Sequence, residues 1–181
     1  CGWEGDWFRM DCDSGSRVVS FELGYNKDVA GTVPPELSVL TALARLGLGG
    51  NSLTGPIPLQ LSNLTALTTL AVNNNDLTGA IPPELSTLTA LTRLDVGFNG
   101  LAGTIPLELS DLTLLQYLGL DSNQLTGTVP SELGSLTLLR DLFLHLNRLT
   151  GSVPSELCAI GIRDFRVDLA MVGCACCSCC G

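Results

Sequence analysis

The sequence predicts a solenoid of about six 24-residue coils laid side by side, with short strands on one face and short helical turns, 3-10 or α, on the other. Three columns of residues predict it. Asn51, Asn75, Asn99, Asn123 and Asn147 recur every 24 residues. So do Pro34, Pro58, Pro82, Pro106, Pro130 and Pro154, and so do Gly31, Gly55, Gly79, Gly103, Gly127 and Gly151. A coil of this size cannot bury its apolar side alone, so each needs its neighbours and the stack shares one core.

The strand is marked by an apolar pair at Leu46/Leu48, Leu70/Val72, Leu94/Val96, Leu118/Leu120 and Leu142/Leu144. Spacing of two sends both side chains to one side, which is the core side. The Asn that follows sits where the chain leaves the strand, where its amide can serve main-chain groups of its own coil and the next, forming an asparagine ladder. The Gly permits a backbone conformation that residues with a Cβ resist, and the Pro three residues on opens the helical turn. Glu36, Glu84, Glu108, Glu132 and Glu156 share the register, with Gln60 in the remaining place. Such a carboxylate column could hold cations, but the plainer account is a first-turn acid favoured by the helix dipole.

Composition agrees with a folded, non-membrane segment. Of 181 residues 45% are hydrophobic, which excludes a disordered chain, and 20 Gly without a triplet period exclude a collagen-like one. The formal charge of −9 repels nucleic-acid phosphates and anionic membrane surfaces. No apolar run reaches the roughly 18 residues that a membrane span needs. The expected partners therefore exclude nucleic acid and, for this segment, membrane. The chain opens at Cys1 with neither Met nor an apolar leader, so either a signal peptide has been removed or the chain is a fragment.

Cysteines occupy only the ends: Cys1 and Cys12, then Cys158, Cys174, Cys176, Cys177, Cys179 and Cys180. An even count confined to two termini reads best as two disulfide-stapled caps formed in an oxidising compartment, secreted or at the cell surface. The rival reading of the 174–180 tract is a thiolate metal cluster, which no histidine joins; no metal and no cofactor are expected.

The unit Leu-x-x-Leu-x-Leu-x-x-Asn-x-Leu-Thr-Gly-x-Ile-Pro, as in Leu43 to Pro58 and, with Val129 for Ile, Leu115 to Pro130, resembles the plant-type leucine-rich repeat. The resemblance covers about residues 18–160. It implies a right-handed leucine-rich repeat solenoid, twisted, with a parallel β-sheet on the concave face, the helical turns on the convex face, and a second short sheet from the Thr-Gly-x-Ile segments. Residues 1–17 then form an N-terminal Cys cap and residues 161–181 a C-terminal strand and Cys-rich cap. Two irregularities fall at the ends: Val29 follows Asn26 by three residues instead of two, and the Phe165-Arg-Val167 strand arrives one residue early. The segment from Cys1 to Cys12 resembles the family's Cys-x-Trp-x-Gly-Val-x-Cys cap with about four residues inserted, which implies a Cys1–Cys12 bridge. The Cys-rich end is similar to those of secreted repeat proteins of diatoms and related algae.

Function is expected on the outward strand positions. Trp3, Trp7 and Phe8 belong to the N-terminal cap, and Phe21 and Phe165 take core slots of the end strands. Tyr25, Phe98, Tyr117 and Phe143 point out, and exposed rings on a sheet call for an explanation. The N-terminal half of this face is small and polar, while the C-terminal half mixes rings with charge, the composition of a protein or peptide hot spot. Phe98, Tyr117, Asp121, Asp141, Phe143, His145 and Arg166 are the candidate ligand-binding residues on the concave face; ordinary cross-strand pairing on a wet sheet is the bland reading. His145, the single histidine, lies near Asp121 and Asp141 in register, but no nucleophile accompanies it, so no catalytic residue is assigned. Arg45 and Arg93 read as solvated. Asn63-Leu-Thr65 is a glycosylation sequon in the connection away from this face.

The fold and these positions together point to a non-catalytic extracellular recognition module for a protein, peptide or glycan. The alternative is an extracellular structural or adhesive protein meeting a cell wall, polysaccharide or ice. It draws on hydroxyl columns at Thr41, Thr65, Thr89, Thr113 and Thr137 and at Thr54, Thr78, Thr126 and Thr150. Some plant members of the resembled family bind ice, though local turn bonding explains such threonines equally well.

Overall fold

The computed structural model describes residues 3–5, 8–24 and 29–168. Within them, one nine-stranded sheet takes a strand from each coil: Arg45–Gly47, Thr69–Ala71, Arg93–Asp95, Tyr117–Gly119, Asp141–Phe143 and Asp164–Arg166. These pair in parallel and follow Val18–Leu23, which pairs antiparallel with Phe8–Cys12 and through it with Trp3–Gly5. The N-terminal edge of the repeat sheet is thereby covered by an antiparallel ribbon, which hides an edge otherwise open to strand addition.

A second, six-stranded parallel sheet is built from the Thr-Gly segments, running Ala30–Thr32, Ser52–Gly55, Asp76–Gly79, Gly100–Thr104, Gln124–Gly127 and Arg148–Leu149. The helical turns are 3-10 helices at Pro35–Val39, Leu59–Asn63, Pro83–Thr87, Leu107–Asp111 and Ser131–Ser135, closing with one α-helix at Ser155–Ala159. The chain is a leucine-rich repeat solenoid.

The expected roles of the columns hold, with one correction. Leu46, Leu70, Leu94, Leu118 and Leu142 are fully buried, as are Val72, Val96, Leu120 and Leu144, so each strand sends its apolar pair into one continuous core. Each buried leucine contributes about 2 kcal/mol by removing its side chain from water. The Gly column adopts left-handed backbone, Gly79 at φ 81° for example, as the turn into the helical segment requires. The Pro column, however, does not open the helix from its first helical position. Pro58 is the residue before it, extended at φ −65°, ψ 126°. Its carbonyl accepts the Leu61 amide at 3.1 Å, so the ring fixes the entry angle and the carbonyl closes the first turn. The acids at 36, 84, 108, 132 and 156 all fall in first turns, where the helix dipole favours them.

The asparagine ladder is present. Asn99 donates from Nδ2 to the Val96 and Gly97 carbonyls of its own coil and the Val72 carbonyl of the coil before, each at 3.1 Å; its Oδ1 accepts the Leu77 amide at 3.0 Å. Asn75, Asn123 and Asn147 repeat the pattern.

At the C-terminal end Phe165 pairs with Leu142, one residue short of the 24 spacing, and both Phe21 and Phe165 pack against the core as expected. Beyond that strand Asp168 supplies the acceptors that interior coils take from the next coil's carbonyls. Its two oxygens accept the Leu146 and Asn147 amides at 2.8 and 3.1 Å, amides that interior coils bond to carbonyls of the next coil. Cys12 and Cys158 each take part in a disulfide. Cys1, Cys174, Cys176, Cys177, Cys179 and Cys180, the Asn26 irregularity, Trp7 and Tyr25 lie outside the described residues.

Replacing Asn99 by Ala strips one coil-to-coil donor set and the acceptor for the Leu77 amide. The expected loss is about 3 kcal/mol, since buried partners are left unsatisfied, and it appears as a lower urea midpoint. Asp168→Ala should lower the midpoint by a smaller amount and increase amide exchange at Leu146 and Asn147 first, because the end coil frays before the interior.

Candidate functional site

On the outer face of the nine-stranded sheet, alternation puts residues 117, 119, 141 and 143 outward while Leu118 and Leu142 point in. Parallel register then fixes the neighbours. Tyr117 stands between Arg93 and Asp141, Gly119 between Asp95 and Phe143, and Phe143 beside Arg166. The rings of Tyr117 and Phe143 lie 5.4 Å apart and tilted, and His145 meets Phe143 edge-on at 6.4 Å. Such geometries favour the ring quadrupoles.

These side chains border an open recess of about 230 Å³ lined by Asn73, Asp95, Phe98, Tyr117, Asp121, Phe143, His145 and Arg166. Six of the seven residues expected from sequence therefore converge. Asp141 does not line the recess; it stands beside Tyr117 on the next strand, in register with Asp164. Sequence reasoning passed over Asn73, Asp95 and the glycines between them. A Cβ at Gly119 would stand 2.7 Å from Asp95 Oδ1 and 2.9 Å from Tyr117 Cε1, and one at Gly97 2.8 Å from Asp121 Oδ1. The glycines are the floor that lets two carboxylates lie flat across neighbouring strands.

Arg93 departs from expectation as well. It is clamped, with Nη2 2.6 Å from Asp95 Oδ2 and its guanidinium 3.6 Å above the Tyr117 ring. The signal was readable as Arg93-Leu-Asp95 on one strand, with Tyr117 24 residues on. Arg166 is similarly held by two bonds to Asp164, at 3.0 and 3.1 Å, and reaches over Phe143 at 5.1 Å.

The aspartates of the recess differ in their compensation. Asp95 and Asp121 are both buried, at 6% exposure. Asp95 has Arg93. For Asp121 the nearest charged partner is His145 Nε2 at 3.9 Å, beyond hydrogen-bonding reach. Burial raises the Asp121 carboxyl above its ordinary value, with the His145 charge pulling the other way. The Tyr117 phenol is pushed up to about 12, first by burial and then by Asp95. His145 Nδ1 is buried with no hydrogen-bond partner.

The residue before each ladder asparagine is left-handed: Gly50 at φ 71°, Asn74 at 56°, Phe98 at 51°, Ser122 at 54° and Leu146 at 57°. Gly and Asn accept that conformation cheaply; a phenylalanine or leucine does so at about 1 kcal/mol or more. Phe98 and Leu146 are nevertheless there and are 55% and 61% exposed. The strain holds two large apolar side chains out at the border of the face.

Elsewhere, Asn63 is exposed at the end of the Leu59–Asn63 turn, on the side opposite the sheet. Thr54, Thr126 and Thr150 donate their hydroxyls to the Gly31, Gly103 and Gly127 carbonyls, the local bonding that competes with a surface role. Among the described residues no group of His, Cys, Asp or Glu is arranged to hold a metal ion, and no helix is long and apolar enough to cross a membrane.

The comparisons place this geometry in a family. The Leucine Rich Repeat family model matches residues 66–88, 90–112 and 114–136. A chain of the BIR3–SERK2 complex from Arabidopsis thaliana is 38% identical, with 69% of this chain and 68% of that one covered and a TM-score of 0.65. The chain belongs to the leucine-rich repeat family. A plant ice-binding protein is 35% identical over 88% of this chain and 51% of its own, with a TM-score of 0.81. The plant peptide hormone receptor RGFR1, solved with RGF2, is 39% identical over 84% of this chain and 24% of its own, with a TM-score of 0.78. The chain thus spans about half the length of the first and a quarter of the second. No curated protein matches in sequence.

Because folding raises the Asp121 carboxyl, the unfolded chain ionises first. The contribution of Asp121 to native stability falls as pH rises from the ordinary carboxylate value of 3.8 through the raised one. Asp121→Asn removes that penalty. The variant should show a higher urea midpoint than the native chain at neutral pH, with the difference closing as pH drops below 3.8.

Proposed function

We propose that this chain is a non-catalytic, extracellular recognition module that binds its ligand, a protein, peptide or glycan, on the outer face of the nine-stranded sheet. The observation that carries this reading is the convergence of Phe98, Tyr117, Asp121, Phe143, His145 and Arg166, from four adjacent coils, on one recess. Rings and half-buried charges surrounded by small residues are what an interface hot spot requires. RGFR1 is a receptor for a peptide hormone, and its likeness to this chain supports a peptide ligand. Asp141 belongs to the border of the same patch.

The same proposal includes plant-type repeats at 18–160 between an N-terminal cap at 1–17, closed by Cys1–Cys12, and a Cys-rich cap at 161–181 of the algal kind. The disulfide state of Cys12 and Cys158 supports an oxidising, secreted or cell-surface setting. A glycan on Asn63 would stand clear of the recess. Mass spectrometry of native material should find the sequon occupied.

The likeness to the plant ice-binding protein favours a second reading, adhesion to ice or polysaccharide through the hydroxyl columns. Thermal hysteresis or inhibition of ice recrystallisation by the purified chain would establish it.

The main reading is tested by the triple change Tyr117→Ala, Phe143→Ala, His145→Ala. All three side chains are outward, so the circular dichroism spectrum should be unchanged. Capture of ligand from the native source should fall by about 100-fold, as removal of two clustered ring anchors implies. Unchanged capture sinks the recognition patch.

A further inference from the structure

The recess treats its charges unequally. Arg93 is taken up by Asp95 and by the Tyr117 ring, and Arg166 by Asp164. A ligand carboxylate would have to share either arginine with an aspartate already bonded to it. Asp121 is in the opposite position. Its side chain is 9% exposed, it lies over Gly97 facing the recess, and no described cation is within hydrogen-bonding distance of it. Beside it are the Tyr117 and Phe143 rings, apolar walls against which the stem of a basic side chain can pack while its charged head pairs with the carboxylate. The chain's net charge of −9 adds a field that draws basic ligands and repels acidic ones.

We propose that the recess accepts the basic side chain of a peptide, an arginine guanidinium or a lysine ammonium, with Asp121 as its counter-ion and the Tyr117 and Phe143 rings as its walls. This rests on the reading that the sheet face is the recognition surface, and it names what that surface selects. Phe98, held out by its left-handed backbone at the recess border, supplies the apolar contact for the residue next to the basic one.

The test uses the whole chain, immobilised, and a phage-displayed library of random peptides. Selected peptides should share an Arg or Lys at a fixed place. Replacing that residue by neutral citrulline or norleucine should weaken binding about thirtyfold, as loss of one member of a desolvated charge pair does. Asp121→Asn should weaken the basic peptide by a similar factor while leaving the citrulline peptide unaffected, which makes the two changes non-additive. The proposal is overturned if peptides that depend on Tyr117 and Phe143 carry no basic residue, or bind Asp121→Asn as well as the native chain; the recognition face then stands without it. If no peptide is selected, or if binding survives Tyr117→Ala with Phe143→Ala, the reading of this face as a peptide-binding surface falls, and the basic-residue proposal with it.

Discussion

The structure depends on the bonding of one amide per coil. A 24-residue coil has too little apolar surface to hold its shape alone, and at the end of its strand it turns away, leaving main-chain groups pointing into the stack. An asparagine at that corner has two donors and an acceptor on a short stem, enough to bind its own coil and the one before in one gesture. Because these asparagines are buried or half-buried, an unmade bond there leaves a polar group with little water to replace it. Register between coils is consequently fixed to the residue. That registration aligns outward positions into columns, and a column is what allows side chains 24 residues apart to form one site.

The ladder also explains how the ends differ. Every interior amide at the corner meets a carbonyl of the next coil. At Leu146 and Asn147 the described residues offer none, and Asp168 presents two carboxylate oxygens in their place. An asparagine would bring only one carbonyl oxygen, so the change from amide to carboxylate follows from an acceptor deficit. At the other end the problem is an exposed strand edge, and an antiparallel ribbon covers it.

Much of the fold was legible because periodicity repeats its evidence: five asparagines, six glycines and six prolines in register leave one architecture. The proline's role was misjudged by one position, since sequence gives its spacing from the helix but not whether the ring lies inside or before the first turn. The site was legible as a face. Outward parity placed Phe98, Tyr117, Asp121, Phe143, His145 and Arg166 together, yet it also admitted Asp141, which does not line the recess. Parity says which way a side chain leaves the sheet and nothing about which way it then leans. For the same reason nothing in the sequence hinted at the part played by Gly97 and Gly119, the gaps into which Asp121 and Asp95 fold down. Arg93 looked solvated because one of its partners, Tyr117, lies a whole coil away, and because the two-residue step to Asp95 was not read as a pair.

Several features of the face oppose stability. A carboxylate is buried without a close cation, an imidazole nitrogen is buried without a partner, and a phenylalanine and a leucine occupy backbone that suits glycine or asparagine. Folding alone selects none of these, and the equivalent positions of other coils show the cheaper solutions in Gly50 and Asn74. Asp121, His145 and Phe98 among them line the recess. A repeat solenoid tolerates such costs because its stability is a sum of nearest-neighbour interfaces, each carrying its own buried leucines and its own asparagine. An unfavourable rung on the outside is offset by the interface beneath it and does not spread along the stack. The regular interior thus leaves the outer columns free to hold strained and poorly compensated groups, which are the groups a ligand can satisfy.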